Sequence, residues 1–151
     1  MALAAILESA AGRRLVIGMP PQEFLHRDLV LFIAEYIRSV EQLEVLILTS
    51  AAVPTEWSIE AVYETVKTNR ASIAQRLKDL TASGLLVEVA GDPVCYRFQP
   101  RTERQRQLVA DLASAYKRAS VRVIETIYSP STASLREFAR AFRLKPDQPD
   151  K

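Results

Sequence analysis

Hydrophobic residues recur at three- and four-residue steps along most of the chain, which is the spacing of amphipathic α-helices. Over residues 22–50 the stripe predicts two helices or one bent helix, with Ser39 and Gln42 three residues apart as in a capping box. The apolar positions of this stripe are Leu25, Leu29, Phe32, Ile33, Tyr36 and Ile37, followed by Val40, Leu43, Leu46 and Ile47. This part of the chain is therefore predicted to be a helical arm that leads into a helical core.

The pattern changes in the middle of the chain, where shorter elements are predicted. Ser58 is placed to cap a short helix, and Asn69 to cap a second helix whose apolar residues fall on one face. These apolar residues are Ile73, Leu77 and Leu80. Two runs of β-branched and aromatic residues, 85–89 and 94–98, then flank Gly91-Asp92-Pro93, which predicts a two-stranded hairpin with a tight tip.

The last third of the chain returns to helical spacing. An apolar stripe predicts one long helix over 104–128 and, beyond a Ser-Pro-Ser break, a short amphipathic helix over 134–142. Residues 145–151 hold no apolar side chain apart from proline and are predicted to be a disordered tail. Residues 1–21 end at a Pro-Pro pair that stops any helix, so they are predicted to form a flexible arm. The expected fold class is mainly α with a small β-hairpin.

The order of elements from Ser39 to Pro100 is helix, short helix, helix and hairpin. This stretch resembles the winged helix-turn-helix domains of bacterial transcription regulators, and its spaced leucines followed by Gly84-Leu85-Leu86 are similar to the MarR-like members. The segments that carry the resemblance are 40–46, 58–62, 72–80, 84–87 and 96–98. The resemblance implies a winged helix-turn-helix core at 39–100, within a unit at 22–100 and flanked by N-terminal and C-terminal helices. It also implies a sequence-specific DNA-binding transcription regulator.

By this resemblance the helix capped by Asn69 is the recognition helix, and its polar face is expected to contact DNA together with one strand residue. The expected DNA-binding residues are Asn69, Arg70, Ser72, Gln75, Arg76, Lys78 and Arg97. Side chains of the first turns are expected at base edges, and Arg76 and Lys78 at phosphates. The hairpin tip departs from the family pattern, because it holds Asp92-Pro93 where DNA-binding wings carry Arg or Lys.

Three alternatives stand beside DNA binding. The same polar face is typical of an ordinary solvated helix, because long polar residues are good exposed helix formers. The acidic hairpin tip favours a winged-helix adaptor that binds another protein and no DNA. A small-molecule sensor or an enzyme in the cleft between the helical arms is disfavoured by the scarcity of His and Cys.

The C-terminal segment 101–144 is expected to mediate formation of a homodimer. An isolated winged helix needs no helix as long as 104–128, and two subunits match two half-sites on DNA. Further candidates for the same interface are Leu29, Phe32, Ile33 and Tyr36. The alternative is that both helical parts fold back on the core of one chain. The helix over 134–142 is open to three roles: docking on a dimer, contact with phosphate, or binding of another protein.

The composition argues against catalysis and bound metal. Cys95 and His26 are the only residues of their types, which is too few for a Cys–His zinc site, and the four glycines form no phosphate-binding motif. No enzymatic activity, cofactor or metal is therefore expected. The first apolar residues precede Arg13-Arg14, the reverse of a signal peptide, and no apolar run reaches the roughly eighteen residues of a membrane span. A cytoplasmic location without membrane contact is expected, and a single thiol suits it.

The net charge of +2 conceals an uneven distribution. Residues 1–66 hold four Lys and Arg against nine Asp and Glu, whereas residues 67–151 hold sixteen against nine. The basic part therefore begins next to the expected recognition helix. An asymmetry of this kind favours contact with nucleic acid, and double-stranded DNA is the expected partner, with binding that weakens as salt is added.

Overall fold

The computed structural model describes residues 25–51 and 54–144, with side chains to residue 141. Within these ranges the chain is mainly helical with a small antiparallel sheet, which confirms the predicted fold class at this level. The helices are α1 (Arg27–Tyr36), α2 (Val40–Thr49), α3 (Ile59–Val66), α4 (Arg70–Ala82), α5 (Glu103–Arg118), α6 (Ser120–Tyr128) and α7 (Pro130–Leu144), and the strands are β1 (Glu56–Ser58), β2 (Leu86–Val89) and β3 (Cys95–Phe98). The predicted flexible arm at 1–21 and disordered tail at 145–151 lie outside the described residues.

Side-chain caps start the helices where the sequence predicts them. Ser39 Oγ accepts from the backbone N–H of Gln42 at 3.1 Å, and this cap separates α1 from α2, so the stretch forms two helices. The bond that completes a capping box is shifted by one residue, since Gln42 Oε1 accepts from the N–H of Arg38 at 2.8 Å. Ser58 and Asn69 cap α3 and α4 by accepting from the N–H three residues on, at 3.1 and 2.9 Å.

The sheet has one strand more than the predicted hairpin. β2 and β3 form the hairpin with Val89 opposite Cys95, and β1 pairs with the other edge of β3 with Trp57 opposite Tyr96, so the strand order is β1-β3-β2. β1 spans three residues and runs directly into α3. The prediction missed this strand because three residues are too few to show an alternating pattern.

The single long helix predicted over 104–128 is wrong. The chain breaks at Ala119, whose backbone angles of φ −152° and ψ 66° are not helical, so α5 and α6 are separate helices. The break redirects the chain, and Val123 and Ile127 of α6 join Leu112 of α5 in one core. α7 begins earlier than the predicted 134, because Pro130 occupies its first position, where a missing backbone N–H loses no intrahelical bond.

One continuous hydrophobic core joins the sheet, the central helices and the C-terminal helices. α1 packs against α5, α6 and α7, and this contact buries Leu29, Phe32 and Ile33 within the chain. These three side chains, which the sequence offered for a dimer interface, are therefore covered by the protein's own C-terminal helices. In the described part of the chain, α1 and the C-terminal helices α5, α6 and α7 therefore fold against one another.

Candidate nucleic-acid interface

The helix α4 divides its residues between a buried and a polar face. Ile73, Leu77 and Leu80 are fully buried, and α4 packs on α2 and α3. The remaining face carries Arg70, Gln75 and Lys78, which are exposed, and Ser72 and Arg76, which are half-buried. The residues predicted on this helix therefore lie together on one surface, and Asn69 holds the first turn by accepting from the N–H of Ser72.

A connection of three residues joins α3 to α4. Lys67 ends α3 in the left-handed region with φ 57°, and Asn69 begins α4 in an extended conformation. A turn of this length between two helices is typical of helix-turn-helix units. The sequence did not predict the backbone of Lys67, because few residues other than glycine adopt a positive φ.

Arg70 lies against a carboxylate and an aromatic ring. Its Nε and Nη2 donate to the two carboxylate oxygens of Glu60, both at 2.8 Å, and its guanidinium carbon is 4.0 Å from the centre of the Tyr63 ring. The hydrogen bonds raise the pKa of Arg70 and lower the pKa of Glu60, so both groups stay charged at neutral pH. The two side chains remain 57% and 56% exposed, so this ion pair is a feature of the protein surface.

Glu41 of α2 holds the start of α4. Its carboxylate accepts from the hydroxyls of Thr68 and Ser72 and lies 3.7 Å from Nε of Arg76. The Ser72 hydroxyl, which was expected at a base edge, therefore donates to a carboxylate of the protein. Arg76 also lies 3.8 Å from Asp79, so its charge is shared between two acidic neighbours. Glu41 thus fixes α4 on α2 and offsets part of the positive charge of this surface.

Gln75 and Lys78 project from the exposed part of α4. Gln75 Nε2 donates to Asp79 Oδ1 at 2.9 Å. Lys78 is exposed and forms no ion pair with any residue in 25–51 or 54–141. Of the predicted cations it is therefore the one that can offer an uncompensated charge to a phosphate.

Arg97 lies in the middle strand of the sheet, and neither on α4 nor at the hairpin tip. The register places it between Glu56 of β1 and Val87 of β2, and its Nη1 donates to Glu56 Oε2 at 3.0 Å. The tip at residues 90–93 is exposed and carries Asp92 as its one charged residue. The structure therefore does not bring Arg97 together with the other predicted residues.

The carboxylate partners of these cations were not predicted from the sequence. Glu41, Glu56 and Glu60 each meet a predicted cation that is at least ten residues away along the chain. The sequence places Glu41 and Glu60 on predicted helix faces, but it does not show which cation each one meets, and Glu56 lies in the strand that was not predicted. The available signal was an acid in the first turn of a helix, as Glu41 is in α2 and Glu60 in α3.

In the C-terminal helices, Arg136 ties α7 to α1. Its Nε and Nη2 donate to the backbone oxygens of Ala34 and Ile37 at 3.2 and 2.8 Å. Burial lowers the pKa of Arg136, and the positive charge of Arg38 lowers it further. α1 has no basic residue in its own last turn, so Arg136 supplies the cation that the helix dipole favours at this end.

A cavity of about 440 Å³ lies between α1, α2 and the end of α4. Its charged lining residues are Glu35, Arg38, Asp79 and Arg101. Arg101 lies over Gly84, whose φ of +86° favours glycine and where an added Cβ would lie 2.6 Å from the Arg101 Nε. The lining mixes both signs of charge, so the cavity does not select a ligand of one charge.

Neither a metal site nor a membrane span is found among the described residues. No group of three or more His, Cys, Asp or Glu side chains is arranged to hold a metal ion there, and none of the described helices has the length and apolar character needed to cross a bilayer. The sequence matches no known family model, and no curated protein or solved structure matches it either.

Proposed function

We propose that the chain is a cytoplasmic DNA-binding transcription regulator that presents α4 to the major groove as the recognition helix of a winged helix-turn-helix. The observation that carries the proposal is the division of α4 into a fully buried face and a polar face that starts at Arg70, its first residue. A recognition helix contacts base edges with the residues of its N-terminal turns, so it needs a polar face that begins there.

The order of elements around α4 supports this proposal. α3 and α4 follow one another across a three-residue turn, and the hairpin β2–β3 comes directly after α4. The short strand β1 precedes α3 and completes the sheet against β3. α2, the α3–α4 pair and the hairpin are the parts that the resemblance assigns to a winged helix-turn-helix.

The ion pairs on α4 predict that its cations contribute unequally to DNA affinity. On α4, Arg70 and Arg76 have carboxylate partners, whereas Lys78 has none among the described residues. A cation that already has a carboxylate neighbour adds less to phosphate binding than a free one. We therefore expect the phosphate contribution of α4 to come chiefly from Lys78.

The test is a fluorescence-anisotropy titration on a duplex of random sequence at low and moderate salt. The wild-type chain is expected to bind at low salt and to lose affinity as salt is added. Lys78→Ala is expected to weaken binding to all duplexes alike and to reduce the slope of log K against log salt by about one.

Lys117→Ala is the matched control, because Lys117 is also an exposed lysine but lies on α5. An equal change of slope in both variants would remove α4 from the binding surface. Absence of duplex binding by the wild-type chain at low salt would overturn the proposed function.

A protein-binding adaptor is the second candidate, and the same ion pairs favour it. Two of the three predicted cations on α4 are offset by carboxylates, as is Arg97 in β3. The exposed tip holds Asp92 beside Val94, which is 37% exposed. An acidic tip with an apolar neighbour is unfavourable beside phosphates but acceptable against a protein. This candidate gains if the duplex titration is negative at low salt.

A homodimer is part of the proposal, and α6 offers its contact. Val121 and Tyr128 lie seven residues apart on one face of α6 and are 64% and 60% exposed. If two α6 helices cross antiparallel about a two-fold axis, Val121 of each chain meets Tyr128 of the other, and Glu125 comes beside Arg122. Light scattering is expected to give a mass of two chains, falling to one chain for Val121→Glu. A one-chain mass for the wild type would overturn the dimer.

A further inference from the structure

The guanidinium of Arg70 is held in place before any ligand arrives. Two hydrogen bonds of 2.8 Å to Glu60 fix one edge of its plane, and the Tyr63 ring lies under it at 4.0 Å. A planar group that is fixed by a carboxylate on one edge and a ring on one face loses little further rotamer freedom when it binds. Arg70 is therefore positioned at the first residue of α4, where a recognition helix meets base edges.

The bonds to Glu60 leave a defined set of donors unused. An arginine has five N–H groups, of which Nε–H and one N–H of Nη2 point at Glu60. Nη1 donates to no atom of residues 25–51 or 54–141. The unused N–H of Nη2 and one N–H of Nη1 lie parallel on the outer edge of the guanidinium, and the second N–H of Nη1 points toward the Cδ side. Two parallel arginine donors match O6 and N7 of guanine in the major groove.

The negative charge of Glu60 favours a base over a phosphate as the ligand of the outer edge of the Arg70 guanidinium. The pair of Arg70 and Glu60 carries no net charge, so its attraction for a charged phosphate is reduced. The directional hydrogen bonds of the outer edge toward a neutral base depend much less on net charge. A paired arginine therefore gains selectivity for a base at the expense of general affinity for DNA.

We propose that Glu60 and Tyr63 position Arg70 to read a guanine in the major groove, so that the preferred DNA site holds a guanine opposite the first turn of α4. This inference rests on the proposed DNA binding and deepens it. Arg70 is the contact residue, and Glu60 and Tyr63 are positioning residues.

The experiment begins with selection of binding duplexes from a pool with a randomised central segment, using the full chain. The wild-type protein is expected to enrich duplexes with one fixed guanine. Replacing that guanine by 7-deazaguanine, which lacks the N7 acceptor, is expected to weaken wild-type binding about tenfold. The same base replacement is expected to leave the affinity of Arg70→Ala unchanged, because that variant has no donors to lose.

Glu60→Gln tests the positioning role with readouts that a loss of structure would not produce. This variant is expected to bind random duplexes more tightly and to steepen the slope of log K against log salt by about one, since Arg70 regains a full charge. Its discrimination between guanine and 7-deazaguanine is expected to fall about fivefold. Both side chains are more than half exposed, so the substitution is expected to leave the fold intact. Circular dichroism and the unfolding midpoint check this.

The outcomes separate the two proposals. If the wild type binds random duplexes but enriches no guanine, or if Arg70→Ala keeps the wild-type base preference, the reading of guanine by Arg70 is wrong and DNA binding stands. If Glu60→Gln behaves as the wild type in salt slope and discrimination, the positioning role of Glu60 is wrong. If the wild type binds no duplex at low salt, the proposed function itself fails.

Discussion

The cations of the α4 surface and those of the C-terminal helices differ in their bonding partners and in their exposure to solvent. Arg70 of α4 meets Glu60 at a position that stays about half exposed, as does Arg97 of β3 with Glu56. Arg136, in contrast, lies against the end of α1 and donates to backbone carbonyl oxygens. An exposed ion pair contributes little to stability and stays accessible to a ligand, whereas a half-buried guanidinium with two carbonyl partners joins two helices. The first arrangement suits a surface that binds, and the second suits a structural joint.

Replacement of Arg136 by Ala should have the largest effect among the substitutions that test this difference. The change removes two hydrogen bonds and leaves the Ala34 and Ile37 carbonyls without their partner. We expect the free energy of unfolding to fall by about 2 kcal/mol. Urea denaturation followed by circular dichroism measures the change.

Arg140→Ala is the control on the same helix. Arg140 is 62% exposed and lies 3.9 Å from Glu137, so its replacement is expected to change stability by less than about 0.5 kcal/mol. Equal losses of stability in the two variants would show that Arg136 is no more structural than the exposed Arg140.

The bond between Tyr116 of α5 and Glu44 joins the C-terminal helices to α2, the helix on which α4 packs, and makes stability depend on pH. The hydroxyl donates to Glu44 at 2.8 Å, and burial, followed by this bond, raises the pKa of Tyr116 to about 12. In the unfolded chain the pKa of the phenol is about 10. Because the fold favours the neutral phenol, its contribution is complete below pH 10 and is lost as the pH rises from 10 to 12.

Tyr116→Phe isolates this contribution. We expect the variant to be less stable by about 1 kcal/mol at pH 8, and the difference from the wild type to shrink above pH 10. Urea titrations of both proteins between pH 8 and 11 measure the difference. Parallel pH profiles would show that the fold does not depend on the neutral phenol.

The smallest effect is expected at Arg97 and Glu56. Their side chains are 42% and 43% exposed, so solvent and salt screen the pair. A double-mutant cycle with Arg97→Ala and Glu56→Ala is expected to give a coupling below about 1 kcal/mol, which decreases at high salt. A coupling as large as the loss at Arg136 would place this pair among the structural joints instead.

The sequence predicted those features of the fold that depend on neighbours a few residues apart. The stripe of Ile73, Leu77 and Leu80 identified α4 and its buried face, since a helix repeats within four residues. Ser39 and Asn69 marked helix starts, because a cap bonds to an N–H three residues on. These interactions form within one turn of helix, so the local pattern contains them.

Features that depend on distant partners were missed. β1 becomes a strand because Trp57 pairs with Tyr96, and the break at Ala119 lets Val123 turn into the core. Neither cause is visible within a window of ten residues. The candidate site followed the same rule: its position on α4 was predicted, but the carboxylate of Glu60 that holds Arg70 was not.

The enclosure of α1 has a consequence for the order in which the protein folds. The bond from Arg136 to Ala34 spans 102 residues, so during synthesis the apolar face of α1 leaves the ribosome long before α7. Contacts that close so long a loop form late, because the chain loses the entropy of loop closure before these contacts stabilise it. α2, α3 and α4 meet across much shorter separations. We therefore expect the surface of α4 to be assembled before α7 packs on α1, so that the apolar face of α1 stays open to chaperones and aggregation during this interval.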